Sequence, residues 1–228
     1  SLNWLKSSSL YGMSEKLSLI IKRVFAPCLG VKDEKILVIG DTGFEGRSVA
    51  AVMSGAYYLA ARQLNLDAKL IFQSPKSRGD TADNNVISSL SELKEKNVII
   101  LNLSDKLGNI QELGKSFRRW IKKKNHRFVS AMSLGDLATD KISLITDAMD
   151  VNYRPFQANH EKLRKMFDEA EEIHITTDAG TDLYYNIKGI NGISADGDYT
   201  KPGTGGNLPA GEVYAPPNGK RVEGTVVI

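Results

Sequence analysis

The chain has 228 residues, 41% hydrophobic and 25% charged, with a formal net charge of +3. This length suits one large domain or two small ones, and the charge is too mild to call for a nucleic-acid or membrane partner. No apolar run reaches the ~18 residues of a membrane span, and residues 1–12 lack a secretory pattern. The single cysteine, Cys28, excludes an internal disulfide and fits a reducing compartment, so we expect a cytoplasmic protein.

Strand-like and helix-like segments alternate through the first part of the chain. Apolar residues at helical spacing predict a helix over 13–26 that Pro27 ends. Apolar β-rich runs then predict strands at 35–41, 68–73, 98–102 and 127–132, separated by helices at 47–64, 85–96 and 110–124. This alternation predicts a parallel sheet with right-handed crossovers. The first strand is apolar on both faces, which indicates that helices cover it on both sides.

The sequence pattern changes in the second part of the chain. Helical patterns continue at 141–150 and 155–171, and from residue 173 the helical period gives way to strand patterns at 173–177, 183–187, 212–215 and 222–228. The fold class is therefore α/β, with a parallel Rossmann-like sheet flanked by helices and a β-rich segment after it. We predict an α/β domain over 1–172 and, over 173–228, a β-rich segment leading into a catalytic domain that lies largely beyond Ile228.

Two segments resemble binding sites but have ordinary structural explanations. The turn after the first strand carries Gly40, Gly43 and Gly46, a spacing that misses both the dinucleotide fingerprint and the phosphate-binding P-loop pattern. An ordinary strand-to-helix turn is favoured there over a nucleotide site. The basic stretch 115–127, which starts at Lys115, suits phosphate contacts, yet Phe117, Trp120 and Ile121 fall on one helical face. We expect its cations to form the solvent face of a helix, with no nucleic-acid partner.

The potential metal ligands are dispersed. His126, His160 and His174 lack the spacing of a zinc motif and are expected to be structural or surface residues. Asp196 and Asp198 flank a glycine, as in a plain turn. Glu212 differs, because it follows Asn207-Leu-Pro-Ala-Gly211 and begins a short strand that Pro216 and Pro217 close. Such a rigid frame suits a metal ligand or an acid/base residue. The other carboxylates of the β-rich part are Asp178, Asp182 and Glu223.

Three segments resemble a known family. The Gly180-Thr-Asp-Leu183 strand, the segment Asn207-Leu-Pro-Ala-Gly-Glu-Val213 and the final strand from Val222 are similar to the aminopeptidase T family of metallopeptidases (M29-type). The resemblance covers most of the chain and is most specific in its last quarter.

The resemblance implies a metal-dependent aminopeptidase that removes N-terminal amino acids from short peptides. It implies two divalent metal ions of the zinc or cobalt type, a homodimer, and Glu212 as the first metal-binding carboxylate. The family's other ligands follow the last strand, so the catalytic residues are expected downstream of Ile228. We expect this chain to be an N-terminal fragment that is inactive alone and binds no metal.

Other functions stay open at this point. Relatives of the family include ring-cleaving dioxygenases for dihydroxypyridines, which use one iron. A non-enzymatic α/β module that holds a small ligand near Gly40–Gly46, or a plain interaction domain, is a further alternative.

Overall fold

A computed structural model describes residues 1–111, 113, 114, 116–219 and 222–228. Its contacts divide the chain into two compact units. Unit 1 comprises Ser1–Val151 and Gly197–Pro209, and unit 2 comprises Asn152–Asp196 and Ala210–Ile228. The division into domains at residues 172 and 173 stays a prediction. None of the described helices is both long and apolar enough to cross a membrane.

Unit 1 is built on a five-stranded parallel sheet with the order β2-β1-β3-β4-β8. Its strands are β1 (Ile36–Asp41), β2 (Ala68–Gln73), β3 (Val98–Asn102), β4 (Arg127–Ala131) and β8 (Gly205–Asn207). Its helices are α1 (Leu2–Ser7), α2 (Tyr11–Ile21), α3 (Val49–Gln63), α4 (Asn84–Glu92), α5 (Phe117–Lys123) and α6 (Ser143–Met149). The predicted fold class is confirmed.

Helices cover both faces of the sheet, which explains why every residue of β1, β3 and β4 is buried. On one face, α4 and α5 contribute Val86, Leu90 and Trp120 to the same apolar cluster as Ile39 and Ile99. On the other face, α3 packs on β1 and β2, and α2 packs on α3. Small residues in α3 permit this close approach, since a Cβ on Gly55 would lie 2.5 Å from Ser14 Oγ. Burial of apolar side chains on both faces stabilises the sheet.

Several helix boundaries differ from their predicted positions. The first long helix ends at Ile21, and a 3₁₀ turn and a π turn then carry the chain through Pro27 to Gly30, whose φ of +56° ends the helical path. The predicted helix 110–124 begins only at Phe117, because Gly114 has a φ of +136° that no α-helix accommodates. The predicted helix 85–96 stops at Glu92, since Leu93 is extended and Lys96 is left-handed.

The strand β8 was not predicted, because its sequence, Gly-Gly-Asn, has little strand propensity. Close packing explains why two of its residues are glycine. A Cβ on Gly205 would lie 2.1 Å from Phe128 Cδ1, and one on Gly206 would lie 2.5 Å from the Tyr199 hydroxyl. Only glycine lets this strand approach β4.

Unit 2 contains one long helix and two small antiparallel sheets. The helix is α7 (Tyr153–Glu169); one sheet has the order β10-β6-β5, and the other pairs β7 with β9. The strands are β5 (Glu172–Thr176), β6 (Asp182–Asn186), β7 (Ile193–Ala195), β9 (Glu212–Tyr214) and β10 (Val222–Thr225). The strand β7 was not predicted, and β10 ends before the predicted 228. The helix is anchored where Asp168 Oδ1 accepts the Gly192 N–H at 2.8 Å.

Candidate functional site

The carboxyl edge of the parallel sheet is where proteins of this architecture bind ligands. Between β1 and β3 the strand order reverses, since β1 pairs with both β2 and β3. Polar side chains end almost every strand there, and all but the last of them are buried. These side chains are Gln73 of β2, Asp41 of β1, Asn102 of β3, Ser130 of β4 and Asn207 of β8.

Asp41 lies at the end of β1, where the strand order reverses between β1 and β3. Its carboxylate is fully buried and accepts the Ser104 N–H at 2.6 Å, the Ser104 hydroxyl at 2.5 Å and the Gly43 N–H at 2.9 Å. These bonds tie the loop after β3 to the loop after β1. The acceptor oxygens of Asp41 are therefore already used within the protein, and the carboxylate holds the two loops together.

The glycines of the first turn serve packing and chain reversal. A Cβ on Gly40 would lie 2.2 Å from Ser54 Oγ of α3, and one on Gly43 would lie 2.5 Å from the Arg47 carbonyl oxygen. Gly43 and Gly46 have φ values of +72° and +69°, which favour glycine. Close packing at Gly40 and Gly43, together with the positive φ of Gly43 and Gly46, thus accounts for these glycines without a phosphate ligand.

Glu212 is the first residue of β9 and is exposed. It lies opposite Ala195 in β7. The preceding Gly211 has a φ of +153°, and a Cβ there would lie 3.3 Å from the ring of Phe156. A side chain at position 211 would crowd Phe156, so glycine allows the chain to pass close to α7 just before Glu212. Residues 207–209 of the predicted frame belong to unit 1 and residues 210–217 to unit 2, and the role of the frame in presenting a metal ligand stays a prediction.

A metal ion requires more donors than Glu212 provides. Among the described residues, no group of three or more His, Cys, Asp or Glu side chains is arranged to hold a metal ion. Metal centres in enzymes commonly take about three protein ligands or more. The described residues of this chain therefore do not bring together a complete one-iron or two-metal centre, and the metal-binding role of Glu212 stays a prediction.

Each histidine has its own structural environment. His126 is fully buried, its Nδ1 accepts the Asn97 N–H at 3.1 Å, and burial lowers its pKa to about 4. In α7, His160 Nδ1 lies 2.9 Å from the Phe156 carbonyl oxygen. The ring of His174 stacks on Tyr184 with centroids 3.7 Å apart. The three histidines are not assembled into one site.

The remaining carboxylates of the β-rich part are also separate. Asp182 Oδ1 lies 2.7 Å from His174 Nε2, with both side chains largely exposed. Asp178 lies in the β5–β6 turn, and Glu223 is exposed on β10. Asp198 Oδ1 accepts the Thr200 N–H at 3.0 Å and its hydroxyl at 2.7 Å, the geometry of a turn. Gly197, between Asp196 and Asp198, has a φ of +80° that also suits a turn.

The cations of α5 form the expected solvent face, but Arg127 of the same basic stretch is buried in β4 and pairs with Glu34. Trp120 and Ile121 of α5 are buried, whereas the neighbouring Arg118, Arg119, Lys122 and Lys123 are exposed. Lys115 lies outside the described residues. Cys28 is buried, as expected of a small apolar side chain.

Comparisons with known proteins point to two enzyme families that share this scaffold. The family model described as NicX, 2,5-dihydroxypyridine 5,6-dioxygenase, matches residues 139–228. The structure of 2,5-dihydroxypyridine dioxygenase from Pseudomonas putida KT2440 is similar, with a TM-score of 0.63 and 14% identity. The match covers 93% of this chain and 59% of that one. No curated protein matches the chain.

A second solved structure is also similar. The wild-type AmpT (an aminopeptidase T) from Thermus thermophilus has a TM-score of 0.56 and 15% identity, over 91% of this chain and 63% of that one. At these identities the likeness establishes the fold. The chain spans about three fifths of the length of both proteins. The aminopeptidase T resemblance is thus supported by structure, while the family model favours the dioxygenase.

Sequence reasoning did not single out Ser130 or recognise that Asn207 lies at the sheet edge. The Ser130 hydroxyl donates to Asn207 Oδ1 at 2.9 Å, which joins the ends of β4 and β8. One sequence signal was available. A polar residue ends, or nearly ends, each of the strands that were predicted to be parallel, and such positions meet at one edge.

Proposed function

We propose that this chain is part of a metal-dependent enzyme, and that its reaction is the oxygen-dependent opening of a hydroxylated pyridine-type ring. The observation that carries the proposal is the match of the dioxygenase family model to residues 139–228. That stretch includes the whole of unit 2 and with it Glu212. The iron-dependent alternative expected from the sequence therefore becomes the main proposal.

Within this proposal Glu212 supplies one carboxylate oxygen to the metal. The proposal rests on its place in the matched stretch and on its exposure at the start of β9. A carboxylate is a common ligand of iron in oxygenases, where histidines complete the set. The proposal requires further ligands, which the described residues do not bring together into one group.

An aminopeptidase is the second candidate. It is favoured by the motifs Gly180–Leu183 and Asn207–Val213 and by the structural likeness to AmpT. Such an enzyme would use Glu212 in a centre of two zinc- or cobalt-type ions and would release N-terminal amino acids from short peptides. The homodimer expected from the same resemblance is a further proposal, which light scattering of the purified protein would test.

One experiment separates the two chemistries. The natural gene product and the 228-residue chain are purified side by side and supplied with iron(II), zinc, cobalt or manganese in turn. Oxygen uptake with 2,5-dihydroxypyridine and amino-acid release from short peptides are measured on the same samples. Oxygen uptake that depends on iron(II), without peptide cleavage, is the expected result. Peptide cleavage with zinc, cobalt or manganese, and no oxygen uptake, would transfer the proposal to the aminopeptidase.

Glu212→Gln then tests the role of the carboxylate, with Glu223→Gln, another exposed strand glutamate of unit 2, as its matched control. Replacing even an outer-shell partner of a metal costs about 10–100-fold in affinity or activity, so loss of a direct ligand should cost at least that. Equal activity of the two variants would contradict the assignment of Glu212. Inactivity of every sample with every metal and substrate would reject both enzyme proposals.

A further inference from the structure

A cavity of about 300 Å³ opens at the carboxyl ends of β3, β4 and β8. We call it the β4–β8 pocket; all of its lining residues belong to unit 1. Pockets for small molecules commonly measure ~300–1,000 Å³, so this one suits a small ligand. It also lies at the edge of the parallel sheet where ligands bind in this architecture.

The walls of the β4–β8 pocket are apolar and partly aromatic. Phe117 at the start of α5 and Phe128 of β4 meet edge to face, with ring centroids 5.3 Å apart. Leu101 of β3 and the half-exposed Met132 complete the apolar lining beside them. Aromatic rings and a methionine sulfur favour contact with a flat, polarisable ring.

The polar groups of the pocket are hydrogen-bond donors. The guanidinium carbon of Arg118 lies 5.3 Å from the centroid of the Phe128 ring. Its Nη1 donates only a long hydrogen bond of 3.4 Å, to the Gly205 carbonyl oxygen. Arg118 is exposed and forms no ion pair with any carboxylate of the described residues. Most of its donors are therefore available to a ligand.

Asn207 adds a neutral donor to the lining of the same pocket. The Ser130 hydroxyl donates to Asn207 Oδ1, which turns the amide nitrogen of Asn207 away from Ser130. A guanidinium and an amide N–H together match a carboxylate, which accepts hydrogen bonds only and pairs well with arginine.

We propose that the β4–β8 pocket binds a small planar aromatic acid, with the ring against Phe117 and Met132 and the carboxylate at Arg118 and Asn207. Binding at this site needs no metal ion. The proposal therefore does not depend on the proposed enzyme activity, and it concerns residues of unit 1 other than the carboxylate assigned to the metal.

Benzoate is the probe for a binding measurement on the metal-free 228-residue chain, by calorimetry and by NMR chemical shifts. Benzamide has the same shape without the charge, and cyclohexanecarboxylate has the charge without the flat ring. We expect benzoate to bind about five-fold tighter than benzamide, the size of one solvent-exposed charged interaction. It should also bind tighter than cyclohexanecarboxylate, whose puckered ring lacks the aromatic contacts. The amide signals of Phe117, Ser130 and Asn207 should shift with benzoate.

Arg118→Gln should weaken benzoate binding by about five-fold or more, whereas Arg119→Gln, its exposed neighbour outside this pocket, should leave it unchanged. Asn207→Asp keeps an acceptor for Ser130 and replaces the amide donor by a negative charge, so it should abolish binding. Circular dichroism and thermal melting of each variant establish that the fold is retained.

Three results would overturn the proposal. The first is that benzoate causes no shift in the pocket signals up to its solubility limit, and the second is that benzamide or cyclohexanecarboxylate binds as tightly as benzoate. Equal affinities of the Arg118 and Arg119 variants would reject the role of the guanidinium. None of these results bears on oxygen uptake or peptide cleavage, so failure here and failure of the proposed function are distinguishable.

Discussion

His126 makes the stability of unit 1 depend on pH. In the folded protein the imidazole is fully buried, and its Nδ1 can accept the Asn97 N–H only while it is unprotonated. Burial, which disfavours the charged ring, lowers the pKa of His126 from 6.5 to about 4. The unfolded chain has no such environment, so there the ring takes up its proton near the ordinary value.

The sign and size of the effect follow from the two pKa values. Between them the unfolded state binds a proton that the folded state does not, so the free energy of unfolding falls as the pH falls. The slope is about 1.4 kcal/mol for each pH unit. Over the interval from 6.5 to about 4 the loss is about 3 kcal/mol. This contribution is complete above pH 6.5 and is gone once the folded ring also protonates.

Urea unfolding followed by tryptophan fluorescence measures this effect, because both tryptophans, Trp4 and Trp120, lie in unit 1. The ring of Trp120 lies 4.9 Å from that of His126. His126→Asn keeps an acceptor near the Asn97 N–H and removes the titrating group. Its unfolding free energy should be lower at pH 7 and should depend less steeply on pH than that of the unchanged protein.

His174→Asn is the matched control, because His174 is half-exposed in unit 2. It should preserve the pH dependence of the tryptophan transition. A native-state NMR titration that gives the His126 ring a pKa near 6.5 would refute the reasoning. The same pH slope in His126→Asn and in the unchanged protein would refute it as well.

Three further substitutions test other contacts by the same urea assay. Asp41→Asn leaves a buried N–H or hydroxyl without an acceptor and should lower the free energy of unfolding by about 2–4 kcal/mol. Asp67 is exposed, so its control variant Asp67→Asn should change this free energy by less than about 0.5 kcal/mol. Equal effects of the two variants would contradict the role of Asp41 in holding the two loops together. Gly40→Ala places a methyl group 2.2 Å from a hydroxyl of α3 and should cost about 1–3 kcal/mol; an unchanged midpoint would refute the packing argument. Burial raises the pKa of Glu34, but backbone N–H groups and Arg127 outweigh this effect and lower the pKa overall. The contribution of Glu34 to the free energy of unfolding should therefore be present above pH 4.5 and fade as the pH falls below it. Glu34→Gln should remove that dependence. An unchanged acid dependence in Glu34→Gln would contradict this.

The sequence by itself determined the alternating part of the fold. The run at β1 is apolar on both faces, and a short strand with that pattern is stable only between two helical layers. The exposure of the α5 cations was also predictable, because Trp120 and Ile121 share one helical face that is buried. These features depend on residues that are close in sequence, so periodicity reveals them.

The sequence also singled out Glu212, by its place in a motif. The motif predicts a metal ligand, and the structure adds that the residue begins β9 and is exposed. Its metal-binding role stays a prediction, because ligands of one metal ion come from separate parts of a chain and their meeting is not encoded in local spacing.

Only the tertiary structure decided which distant residues meet. Asp41 and Ser104 are 63 positions apart in sequence, yet their hydrogen bonds close the crevice between β1 and β3. Gly205 and Gly206 have poor strand propensity, and they form a strand because they pair with β4. The side chains of Phe128 and Tyr199 leave room for nothing larger than glycine there. The β4–β8 pocket arises in the same way, since β8 returns from far along the chain to pair with β4. Long-range packing of this kind overrides local propensity, because strand pairing is set by the neighbouring strand.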